Sequence, residues 1–157
     1  MNPTRRIVLA ALALAAPLAR AVATREDASA LLDRFHAAAS KARFDDYFGC
    51  FAPDGVFLGT DVTERWTVAQ FQAYAKPHFD KGRGWTYSSV ERHINVAADG
   101  RHASFDELLD NDGLGRCRGT GVLRLVDGAW RIEQYHLTIP VPNELADEFV
   151  KRIRAGK

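Results

Sequence analysis

The run GRCRGTGVLRLV (residues 115–126), the pair DG (127–128) and the run AWRIEQYHLTI (129–139) decide the fold. Two extended, β-branched and aromatic segments flank an Asp-Gly, which favours positive φ at both turn centres and suits a tight hairpin between right-twisted strands. Asp112-Gly113 and Asp99-Gly100 repeat the signal upstream, bounding extended segments at Trp85–Ala97 and His102–Asp110. The pattern predicts a four-stranded antiparallel meander from Trp85 to Pro140.

Two-residue loops fix the pairing. Val126 then faces Ala129, Asn111 faces Leu114 and Ala98 faces Arg101, and alternation assigns every residue to one of two faces. One face takes Leu125 with Trp130, Leu123 with Ile132, Gly121 with Gln134, Gly119 with His136 and Cys117 with Thr138. Its glycines leave unfilled volume, so a cavity is expected there. Across the sheet this register places His93, Asp106, Gly119 and His136 in one row, with Ser104, Asn95 and Glu91 one step away. The other face carries Phe105, Glu107, Leu109, Arg118, Tyr135 and Leu137, pairs Glu107 with Arg118, and suits a dimer interface.

Strands ~4.8 Å apart bring His93 against Asp106, while Asp106 and His136 flank a gap of roughly 10 Å over Gly119. Asp106 is therefore the expected general base, His93 its orienting partner and His136 a proton donor. Gln134, Tyr74, Trp66, Gly119 and Ser104 are the expected ligand contacts. A β-bulge would exchange the faces beyond it, which makes Glu107 and Arg118 second choices, together with Asp61. The same row also reads as a polar cluster that satisfies its own hydrogen bonds. It is too wide to converge on a metal ion, no Cys/His spacing of metal type occurs, and no cofactor is expected.

Ahead of the meander, Thr24 with Asp27 is a capping-box-like start for a helix carrying Leu31, Leu32, Phe35, Ala38, Ala39 and Ala42, with a break near Arg43 before Phe44, Tyr47, Phe48 and Phe51. His36, beside Phe35, reads as a surface or rim residue before a pocket residue. Pro53-Asp54-Gly55 predicts a turn and Val56–Leu58 a short strand. Residues 59–66 form a polar loop around Trp66, either stapled by Asp61 or Glu64 with Arg65 or serving as a lid. Thr67 with Gln70 is a full capping box. After the sheet, Pro140, Pro142 and Asn143 stop the last strand and cap a final helix with acids early and bases late. This order predicts an α+β domain with helices over one face of a curved sheet.

Arg5-Arg6 before the apolar run Ile7–Ala19, then Ala21 and Ala23, reads as a signal peptide of residues 1–23, by the Sec or twin-arginine route, leaving a single domain over 24–157. An exported, most naturally periplasmic, protein with no membrane association after cleavage is expected. Cleavage removes Arg5, Arg6 and Arg20 and no acid, so the formal +1 charge becomes slightly negative, which argues against nucleic acid. Cys50 and Cys117 could pair in an oxidising compartment or remain buried thiols.

Phe57–Asp61 with Glu64-Arg65-Trp66, Phe105-Asp106-Glu107, Arg118–Leu123 and Tyr135–Pro140 with Pro142-Asn143 resemble exported members of the SnoaL-like group of the nuclear transport factor 2-like superfamily. The resemblance covers residues 27–154. It implies a cone-shaped α+β barrel, a homodimer, and a pocket between concave sheet and helices that holds a small, partly apolar molecule. Enzymes of that superfamily use acids and histidines lining the cone, and Asp106 is similar in placement to the acid of its isomerases. Their accompanying aspartate and tyrosine have no assignable match. A non-catalytic binding or interaction module of the same fold is the alternative.

Overall fold

Thr24 begins the first helix as its composition predicts: its hydroxyl accepts from the Asp27 amide while Asp27 accepts from the Thr24 amide. The computed structural model describes residues 23–156, so all of the expected signal peptide but Ala23 lies outside the described residues. Helix α1 spans Arg25–Ser40 and buries Leu31, Leu32, Phe35 and His36. Ala42, at φ 50°, breaks the chain before the short α2, Phe44–Phe48. Strand β1 (Phe51–Leu58) takes in the Pro53-Asp54-Gly55 segment expected as a separate turn; the irregularity between Phe51 and Val56 absorbs it. A loop leads to β2 (Arg65–Thr67) and to α3 (Val68–Phe79), where Thr67 and Gln70 close the second capping box.

The meander follows as β3 (Ser88–Val96), β4 (His102–Asn111), β5 (Gly115–Val126) and β6 (Ala129–Thr138). The sheet has six strands in the order β2-β1-β6-β5-β4-β3, and β1 runs parallel to β6, a pairing outside the antiparallel expectation. Helices α1 to α3 cover its concave face. The core there is largely aromatic: Phe35, Tyr47, Phe51, Phe71 and Tyr135 are all at most 5% exposed. Asn143–Leu145 is a 3-10 turn without a side-chain cap, in place of the expected Asn143-capped helix start. It leads into α4, Ala146–Arg154, whose apolar Leu145–Phe149–Ile153 stripe stays exposed. No helix among the described residues is long and apolar enough to cross a membrane. Cys50 and Cys117 are separate buried thiols.

Two single-residue shifts correct the expected register. Between β4 and β5 the loop holds three residues, and Asn111 pairs with Gly115, not Leu114. The Asn111 side-chain oxygen accepts from the Gly113 and Leu114 amides, at 2.9 and 2.8 Å, and Gly115 takes φ 72°, a left-handed position at the loop's end. Between β5 and β6 the Asp127-Gly128 turn is as expected, with positive φ at both residues, and Leu123 faces Ile132. The next pair is Val122 with Gln134, so Glu133 is an extra residue that turns the rest of β6 over.

Each shift exchanges faces. The concave face therefore carries Ile94 and Arg92, Phe105, Glu107 and Leu109, Cys117, Gly119, Gly121 and Leu123, then Tyr135 and Leu137. The expected row survives on the opposite side as His93, Asp106, Thr120 and His136.

Candidate functional site

A cavity of about 150 Å³ lies between α1, α3 and the concave face. Its wall includes His36 from α1, Tyr47 from α2, Trp66 from β2, Tyr74 from α3 and Tyr135 from β6. Trp66 stacks on Tyr74, with centroids 4.8 Å apart, and on Phe71 at 5.4 Å and 10°. Phe57 stacks on Phe71 at 4.1 Å and 19°, so this wall is a set of nearly parallel rings.

Beside it lies one buried carboxylate. Glu107 is 1% exposed and His36 8%. Glu107 Oε1 is 2.7 Å from His36 Nε2 and accepts from the Tyr135 hydroxyl at 3.0 Å, while Oε2 accepts from Arg92 Nε at 2.9 Å. Arg92 Nη1 goes on to Asp33, at 2.7 Å, and to the Ser29 hydroxyl and carbonyl. The network thus runs from the cavity wall, through the carboxylate, to the exposed Asp33.

Burial pushes the Glu107 carboxyl up, but the hydrogen bonds and charges of His36 and Arg92 outweigh it and hold the group below the usual glutamate value. Glu107 is therefore an anion near neutral pH and accepts only. Its hydrogen bond to His36 then requires the proton on Nε2, so Nδ1 is the ring nitrogen not spent on Glu107. The His36 ring makes its one hydrogen bond among the described residues through Nε2. Burial and the neighbouring Glu107 charge push the Tyr135 phenol well up, so it stays a donor. The unit resembles a base and its orienting carboxylate, the carboxylate held by the Tyr135 hydroxyl and Arg92, beside an aromatic hollow.

The structure redistributes the expected site residues. Trp66 and Tyr74 line the cavity, and Gly119 sits behind it; a Cβ there would meet the Tyr135 hydroxyl and, at 3.1 Å, Glu107 Cγ. The glycine space expected to be empty is thus filled by Tyr135 and Glu107, and that at Gly121 by the Gln134 carbonyl and Phe105. Glu107 is in the network, but its cation is Arg92 and not Arg118, which faces Leu108 on the outer side. Asp61 is at the exposed loop tip, bound to Thr63 at 2.6 and 2.8 Å and not to Arg65.

Asp106, His93 and His136 do not enter the cavity. The placement expected for them is corrected by the three-residue β4–β5 loop and the Glu133 bulge, which put all three on the outer face, with Ser104 and Gln134. There the His93 side chain is 59% exposed and pairs with Glu91 at 2.8 Å, and a shallow depression gathers His93, Asp106 and Arg118. Among the described residues no group of three or more His, Cys, Asp or Glu side chains is arranged to hold a metal ion.

Arg92, Tyr47 and Tyr135 were not expected in the site, and His36 only as the lesser of two readings. For His36 a signal was present: Leu32, His36 and Ala39 share the four- and three-residue spacing of a buried stripe, which an exposed rim residue has no reason to keep.

The family model of the SnoaL-like domain matches residues 28–142. No curated protein matches the chain. Among solved structures, a nuclear transport factor 2-like protein of unknown function from Pseudomonas putida is 14% identical, with a TM-score of 0.63 over 76% of this chain and 88% of its own. A protein of unknown function from Mycobacterium tuberculosis is 18% identical, with a TM-score of 0.64 over 78% and 75%. A candidate scytalone dehydratase from Novosphingobium aromaticivorans is 8% identical, with a TM-score of 0.61 over 74% and 83%. At these identities the likeness is one of fold, a cone-shaped α+β sheet under helices.

Proposed function

The chain belongs to the SnoaL-like domain family, and from that premise we propose that it binds a small, largely apolar molecule in the cone and moves a proton on it, with His36 as base and Glu107 as the carboxylate that positions His36. The observation that carries this is the 2.7 Å contact of His36 Nε2 with a buried, ionised Glu107, in a ring that lines the cavity. A proton leaves a carbon next to a carbonyl for His36 Nδ1. The electron pair of the broken C–H bond passes to the carbonyl oxygen as an enolate, and the imidazolium returns the proton to the same or an adjacent carbon.

Deuterium uptake from D2O at the carbon next to the carbonyl of cyclohexanone reports this step directly. Wild-type protein should accelerate it, and His36→Gln, which keeps a nitrogen donor towards Glu107, should lower the rate by about 10²–10⁴-fold. Equal rates in the two proteins would leave the cavity a binding site without turnover.

The reading includes export and self-association. Arg5-Arg6 with the apolar run to Ala19 supports the first, and the outer sheet face around His93, Asp106 and Arg118, which no helix among the described residues covers, supports pairing of two copies. Protein taken from the periplasm should have lost residues 1–23 and sediment at twice the chain mass. An intact amino terminus or a single-chain mass removes the corresponding half.

A further inference from the structure

The binding reading leaves the chemical class of the ligand open, and the polar inventory of the cavity narrows it. Among the described residues no lysine or arginine lines the wall; its charged or readily ionised groups there are His36 and Glu64. Arg92 is not on the wall: its Nε and Nη1 are spent on Glu107, Asp33 and Ser29, and its Nη2 is a buried donor without a partner among the described residues. An anionic ligand would lose its hydration, meet no lysine or arginine on the wall, and lie near two carboxylates, a costly arrangement.

Size and shape narrow it further. An apolar cavity of about 150 Å³ is known to take benzene, and this one has about that volume. The near-parallel rings of Trp66, Phe71 and Phe57 favour a flat occupant.

One donor is unspent. The Tyr47 hydroxyl accepts from Trp85 Nε1 at 3.4 Å, but its own proton has no acceptor among the described residues. Tyr47 is 1% exposed, and leaving such a donor unmet costs about 1–3 kcal/mol. Burial raises its phenol, so the proton stays on the oxygen. Tyr47 lines the cavity, where an occupant can supply the missing acceptor.

We propose that the cavity takes an uncharged, flat, single-ring compound bearing a carbonyl or hydroxyl oxygen, and that the Tyr47 hydroxyl donates to that oxygen. This selects against carboxylates of the same shape and against plain hydrocarbons.

Benzamide, benzoate and toluene test the proposal as a matched set, read by the emission of Trp66 and Trp85 in the full chain. Benzamide should bind at least tenfold more tightly than either of the others. Tyr47→Phe should erase its advantage over toluene while toluene affinity stays within twofold, which also shows that the variant keeps its cavity. Independently of any variant, the carbonyl carbon of labelled benzamide should shift downfield on binding, as a new hydrogen bond to its oxygen requires. Benzoate binding as tightly as benzamide, an unchanged benzamide affinity in Tyr47→Phe, or an unmoved carbonyl resonance overturns the proposal and leaves the cavity reading standing. No response to any of the three overturns both.

Discussion

Replacing Glu107 with alanine is expected to lower the unfolding free energy by about 3–5 kcal/mol, the usual cost of removing one partner from a buried charge network. Three donors lose their acceptor together: His36 Nε2, the Tyr135 hydroxyl and Arg92 Nε. Arg92 keeps Asp33 and Ser29, so the cation is not wholly stranded, but Tyr135, 2% exposed, loses its acceptor outright. Glu107→Gln should cost less, since one acceptor oxygen remains, although its amide N–H then faces another donor. Acid dependence separates charge from volume. The carboxyl is held below its unfolded value near 4.5, so its contribution is complete above that value and is lost as pH falls through the folded-state value. Urea unfolding of wild type should therefore weaken with acid in this range more steeply than that of Glu107→Gln. Parallel pH profiles would mean that the carboxylate is not the charged centre of the network.

Much of the fold was legible because it rests on local chemistry. Both capping boxes, the Asp127-Gly128 hairpin and the break before Phe44 depend on side chains within four residues of one another. The site was less legible because it depends on register, and register is cumulative. One Asn111 side chain that captures two amides lengthens a turn by a residue, and one extra residue at Glu133 inverts the end of β6. The two shifts cancel in the alignment of Asp106 with His136, so the row itself was read correctly, with Thr120 in the place of Gly119. They do not cancel in the choice of face. A hydrophobic test would have found this: the expected inner face left Phe105, Leu109, Tyr135 and Leu137 outside, four large apolar side chains that no solvent-facing register should expose.

Gly119→Ala is expected to cost about 2–4 kcal/mol, summing overpacking with the weakening of a hydrogen bond to a charged acceptor. Gly119 has no positive φ, so alanine suits its backbone, and the penalty must come from the space its Cβ would enter. That space is held by the Tyr135 hydroxyl, with Cζ at 2.9 Å and Glu107 Cγ at 3.1 Å. Tyr135 has little room to withdraw, because its ring is packed by Phe35 at 4.9 Å, Phe105 at 5.7 Å and Phe57 at 5.8 Å. The added methyl therefore drives the hydroxyl off Glu107 or shifts β5 against β6. If the hydroxyl is the obstacle, removing it should relieve the strain. Tyr135→Phe alone loses one hydrogen bond to Glu107, and in the double variant the two costs should fall short of their sum by about 1–3 kcal/mol, the range for residues in direct contact. Urea unfolding of the four proteins closes this cycle. Additive costs would show that Gly119 is required by the strand itself and not by the tyrosine, and would cut the link between the glycines of β5 and the geometry of the His36–Glu107–Tyr135 site.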